Sequence, residues 1–140
     1  MIDKMTTLIN SQTKKNMKNR KLIAYWVFTA LFTFGMLASG TQQVLRTKSM
    51  VDLITPLGYP VYFLCILGAW KILGVIAVLI PGFKLLKEWA YAGFFFAMTG
   101  ALVSHLACGV HDIKEVLGPV FQLIFILLSW YFRPADRRIV

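Results

Sequence analysis

Between Lys21 and Arg46 the chain carries no charged residue, and the intervening run, Leu22 to Leu45, exceeds the roughly 20 apolar positions that a helix needs to cross a hydrocarbon core. A segment of that kind is expected to lie in lipid. Three further runs have the same character. The second, 59–80, has Pro60 in a helix-starting position, ends before Pro81-Gly82 and contains one charge, Lys71, near its middle. The third, 89–108, holds His105 as its sole titratable acid or base besides thiol and phenol groups. The fourth, Val116 to Phe132, is short, but Asp112 and Glu115 have capping-box spacing, so this helix is expected to begin near Ile113 and span 113–132.

The expected architecture is therefore an all-α membrane protein, a bundle of four transmembrane helices at about 22–45, 59–80, 89–108 and 113–132. Composition agrees: 58% of residues are hydrophobic and 15% charged, too few for a soluble domain's surface. The net charge of +9 would suggest nucleic acid as a partner in a soluble protein, but the cations cluster at the ends of the apolar runs, where they meet lipid headgroups. The first run is too long for a cleavable signal, and Met5 or Met17 are alternative starts. Residues 1–20, rich in Lys, Asn and Thr, read as a basic flexible cytoplasmic extension, 21–133 as the transmembrane domain and 134–140 as a short cytoplasmic tail.

Alternation places Lys4, Lys14, Lys15, Lys18, Arg20, Lys21, Lys84, Lys87, Arg133, Arg137 and Arg138 on one side and only Arg46, Lys48 and Lys114 on the other. By the positive-inside rule both ends face the cytoplasm (N-in, C-in), and 46–58 and 109–112 lie outside. Ser49 and Asp52 have capping-box spacing, which predicts a short interfacial helix before Thr55-Pro56-Leu57-Gly58. Tyr25, Trp26, Tyr59, Tyr62, Trp89, Tyr91, Trp130 and Tyr131 fall near span ends and are expected to form an aromatic belt.

Lipid tails are as apolar as Leu, so helices associate in a bilayer through close backbone approach or polar contacts. Gly93, Ala97, Gly100, Ala101, Ser104 and Cys108 form a small-residue stripe on the third helix and are expected to be its packing face. On the second helix Gly68 and Gly74 flank Lys71, a face expected to turn inward because an intramembrane cation avoids lipid.

The ordered set Leu57-Gly58-Tyr59-Pro60, Gly68-Ala69-Trp70-Lys71-Ile72-Leu73-Gly74, Ile80-Pro81-Gly82-Phe83, Lys87-Glu88-Trp89-Ala90-Tyr91-Ala92-Gly93 and Ser104-His105-Leu106-Ala107-Cys108-Gly109 resembles the DoxX-like family of small four-helix bacterial membrane proteins. The resemblance implies a multi-pass protein of the bacterial inner membrane. It implies less about activity: the family is named after a membrane subunit of a thiosulfate:quinone oxidoreductase, and other relatives are linked to membrane-associated oxidative-stress complexes. A soluble or membrane oxidoreductase would then be the partner that completes the chemistry.

For function, Lys71 is the sharpest feature, either an anchor for a ligand or a polar latch between helices. By counting from span ends, Thr99 and Gln122 share its depth. Toward the outer face Gln42, Gln43, Arg46, Asp52, His105, His111, Asp112 and Glu115 could form a cup for a quinone headgroup, a metal or a small anion, or could simply meet water at span ends. The candidate ligand-binding set is Lys71, His105, Gln122, Thr99, Gln42 and Arg46, with quinone as the candidate cofactor. No metal is assigned, since His105 and His111 have no recognised ligand spacing. Cys65 and Cys108 read as packing residues or as a thiol pair, and no catalytic motif or nucleic-acid motif appears. Two further classes remain open, a non-catalytic scaffold or assembly partner and a small-solute transporter; the second is disfavoured by the absence of inverted halves.

Overall fold

The computed structural model describes residues 1–109 and 113–139. These contain helices and no strand: α1 (Ile2–Val44), α2 (Lys48–Ile54), α3 (Tyr62–Leu79), α4 (Lys84–Ala107) and α5 (Ile113–Phe132), with single 3-10 turns at Thr55–Leu57 and Ala135–Arg137. Four of them, α1, α3, α4 and α5, are long and apolar enough to cross a membrane. They close into a ring in which α1 packs on α3 and α5, and α4 packs on the same two from the opposite corner.

Side chains from the diagonal pair fill the middle of this ring. Phe32 of α1 lies against Tyr91 and Phe94 of α4, with ring centroids 5.8 and 5.7 Å apart, and Met36, Val75, Val78, Met98 and Ile126 complete the core. The inward face of α4 is Tyr91, Phe94, Met98 and His105, all buried and spaced by three, four and seven residues.

That face corrects the small-residue stripe. Gly93 and Gly100 are exposed, and a Cβ added to either would meet nothing within 4 Å. Ala97 packs at the margin of the core, and Ser104 exchanges a 3.0 Å hydrogen bond with Tyr59. The space at the centre of a four-helix ring takes aromatic bulk, so the glycines of α4 end up outside it. Close backbone approach occurs instead at the seam of α1 and α3, where a Cβ on Gly68 would stand 2.5 Å from the Gly40 carbonyl oxygen. Gly74 likewise accommodates Phe94, whose ring would lie 2.7 Å from an added Cβ.

Helix boundaries differ from the sequence reading in three places. The polar N-terminal segment is helical and continuous with the first span, giving 43 residues, or about 65 Å at 1.5 Å per residue, roughly twice the hydrocarbon thickness. No Gly or Pro occurs in residues 2–21, and Thr6, Thr7 and Thr13 donate to carbonyls one turn back. The interfacial helix begins after Thr47, two residues before the proposed Ser49 cap, and no side chain caps it. The third span extends back to Lys84, because the left-handed residues Gly82 (φ 76°) and Phe83 (φ 42°) reverse the chain within four residues of α3. The Asp112 half of the expected cap on α5, with His111, lies outside the described residues.

Of the expected aromatic belt, Trp26, Tyr59, Tyr62, Trp89, Trp130 and Tyr131 are exposed, whereas Tyr25 and Tyr91 are buried. Tyr91 joins a chain of hydroxyls, bonding Ser129 at 2.7 Å, which in turn bonds Thr29 at 2.7 Å. This chain ties α1, α4 and α5 together near the basic end of the bundle.

Candidate functional site

Helix α3 places Lys71 one turn beyond Gly68, and the close approach of α1 at Gly40 buries it to 8% exposure. Its Nζ donates to Ser39 Oγ of α1 at 3.3 Å. A single hydroxyl leaves the other ammonium protons without a protein acceptor among the described residues, in a region where charge is costly. Lys71 also lines a groove of about 420 Å³ between α3 and α4. Leu67, Leu73, Ala77, Phe94 and Ala97 give it apolar walls, Trp70 and Trp89 stand on its rim, and Gly93 widens it where a side chain would intrude. The rim tryptophans are largely exposed, so the groove opens sideways toward lipid.

The other sequence-predicted residues do not gather in this groove. Thr99 uses its hydroxyl on its own helix, donating to the Phe95 and Phe96 carbonyls. Gln122 packs its amide against Gly35 of α1, in space that any Cβ there would occupy, and its Oε1 is buried without a partner. Gln42 is exposed; its neighbour Gln43 turns inward and leaves Oε1 buried and unpaired. The helical phase of α1 thus selects Gln43 over the residue proposed. Arg46 is exposed, with a positive φ of 49° and its Nε 3.0 Å from Cys65 Sγ. Cys65 and Cys108 are both free thiols.

His105 is buried at 3% exposure, and its Nδ1 lies 3.7 Å from Glu115 Oε2 at the start of α5, too far for a hydrogen bond. This pair belongs to the end of the bundle opposite the basic one, beside the Tyr59–Ser104 contact. It forms a second polar locus, separate from the groove that Lys71 lines.

Polar residues that the sequence reading left in loops or belts prove central at the basic end. Lys87 is fully buried and donates to the carbonyls of Ala77 (3.0 Å), Val78 (2.9 Å) and Ile80. Those carbonyls, two in the last turn of α3 and one on its cap residue, lie beyond the helical ladder, and a cation there also complements the negative end of the helix. Glu88 accepts from Arg133 through Oε1 and from Trp130 Nε1 through Oε2. Arg137 reaches Tyr25 Oη at 3.5 Å and the Val78 carbonyl at 3.3 Å. The available signal was a polar residue inside or at the margin of an apolar run, as at Thr29, Lys87 and Ser129.

No curated protein and no solved structure matches the chain at a significant level. The model of the DoxX-like family matches residues 27–131, which take in the groove, His105, the C-terminal part of α1, all of α3 and α4 and nearly all of α5, and the chain belongs to that family.

Proposed function

We propose that this multi-pass protein is the membrane component of a redox or quinone-linked system and holds a small lipid-soluble ligand of quinone type in the groove beside Lys71. One observation carries the reading: a buried ammonium with a single hydroxyl partner borders an apolar groove open to lipid. A long apolar ligand enters such a groove from the bilayer, and a carbonyl oxygen on its head supplies the acceptor that Lys71 lacks. The volume of about 420 Å³ is that of a small-molecule site. A soluble or membrane oxidoreductase would exchange electrons with the bound ligand.

The test is thermal unfolding of the purified protein with short-chain ubiquinone and menaquinone analogues. Binding is expected to raise the apparent stability by about 2.7 kcal/mol at a hundredfold excess over Kd. Lys71→Leu should fold and lose that shift. No shift with either quinone in the native chain overturns the reading and favours a scaffold.

The same proposal sets the orientation, N-in and C-in across a bacterial inner membrane, from the eleven cations against three. Single cysteines at Lys48 should label with an impermeant reagent in intact spheroplasts, and those at Lys15, Lys84 and Asp136 should not. The opposite pattern would invert the protein.

A further inference from the structure

A second pocket, of about 440 Å³ and more polar, opens at the basic end of the bundle. Lys21 of α1, Glu88 of α4, and Trp130, Arg133, Arg138 and Ile139 at and beyond the end of α5 line it. Its one carboxylate is already used, since Glu88 accepts from Arg133 and from Trp130. Arg138 is fixed in place by donating to the carbonyls of Arg133 and Tyr131. Among the described residues neither Arg138 nor Lys21 has a carboxylate partner.

Arg133 adds a second, independent observation. It is 3% exposed and pairs with Glu88 through Nη2 alone; among the described residues its Nε and Nη1 have no hydrogen-bond partner, and the Tyr91 ring lies 5.2 Å from its guanidinium carbon. Among the described residues, Lys21, Arg133 and Arg138 against the one carboxylate of Glu88 leave the pocket with an excess of two positive charges. That excess lies at the end of an apolar span, the level of the lipid headgroups.

We propose that this pocket binds the phosphate of an anionic phospholipid. The phosphodiester oxygens take charge-assisted hydrogen bonds from Lys21 and Arg138 and are attracted by the buried charge of Arg133, while Trp130 and Ile139 form the wall along which the glycerol and acyl chains leave. Inorganic phosphate offers the same oxygens. Position and the apolar wall favour the lipid. The site is independent of the Lys71 groove, with which its lining shares no residue.

The experiment is a titration of the delipidated, detergent-solubilised full chain with short-chain phosphatidylglycerol, short-chain phosphatidylcholine and inorganic phosphate, read by thermal unfolding and by native mass spectrometry. Phosphatidylglycerol is expected to raise the melting temperature and remain bound in the spectrometer, and the other two to do neither. Lys21→Gln changes an exposed side chain and should leave the ligand-free melting temperature unchanged while weakening phosphatidylglycerol about fivefold, the effect of roughly one surface cation. Lys48→Gln, on the opposite face, should keep full affinity, as should Lys71→Leu. Arg138→Gln is the second variant, with a larger loss expected. Equal stabilisation by phosphatidylcholine, or equal losses from Lys21→Gln and Lys48→Gln, overturns the proposal. An equal shift with inorganic phosphate overturns the lipid as its source.

Discussion

Lys71 and Lys87 are both buried cations in a chain that has few places to hide one, but they are solvated in opposite ways. Lys87 donates to three backbone carbonyls at the end of α3, which need donors in any case. Lys71 finds one serine hydroxyl at mid-span, on a helix whose carbonyls there are committed to the helical ladder. The first arrangement closes a helix end and is complete without a ligand. The second leaves donor capacity facing a groove, so burial alone does not distinguish a structural lysine from a binding one; the count of acceptors does.

The sharpest way to break this comparison is Lys87→Met. Removing the donor takes away the lysine partner of the Ala77 and Ile80 carbonyls and leaves Val78 with Arg137 alone, and a loss of roughly 3 kcal/mol is expected from unsatisfied groups of this kind. Equilibrium unfolding in mixed micelles measures it. Wild-type stability in this variant would mean that the carbonyls are otherwise satisfied.

Somewhat smaller is the expected effect of Gly68→Leu. Bulk at this position collides with the Gly40 backbone and separates α1 from α3, at a cost of about 2 kcal/mol, and it should expose Lys71, whose burial depends on the same seam. A reagent specific for amines, applied in detergent, would report that exposure. Unchanged reactivity would show that Lys71 is buried by something other than this contact.

Lys71→Leu is expected to shift stability by less than about 1 kcal/mol, in either direction, because removing a costly buried charge offsets the lost bond to Ser39. A loss as large as that of Lys87→Met would make the two lysines equivalent and remove the distinction. The least effect belongs to Gly100→Leu, about 0.5 kcal/mol or less in the same unfolding assay, since its Cβ enters open space. A marked loss there would restore the α4 stripe as an interface in place of the seam at Gly68.

These residues also show which parts of the molecule the sequence could carry. The spans of α3 and α5 were legible nearly to their ends, since a bilayer demands a fixed length of apolar chain and Pro60, Pro81 and Gly82 punctuate it. Lys71 was legible as an inward residue, because a cation at mid-depth has few alternatives. The glycines of α4 were not, since a small side chain fits equally against a neighbouring backbone, beside a ligand groove or against lipid. Lys87 was not either: a cation just outside an apolar run is ordinarily a headgroup contact, and only the four-residue reversal from α3 turns it under the preceding helix.

By itself, then, the sequence determined how many times the chain can cross a membrane, where the charges collect and that one cation is trapped within a span. Each of those follows from the solvation of single residues or runs, which needs no knowledge of neighbours. Tertiary structure alone decided that Gly40 meets Gly68 while Gly93 and Gly100 face outward, that Gln43 turns in where Gln42 does not, and that Arg133 is buried with donors to spare. Those are properties of pairs of surfaces, and which surfaces meet depends on the rotation of each helix about its axis, a quantity that lipid on one side and an equally apolar core on the other leave almost unmarked in the residues themselves.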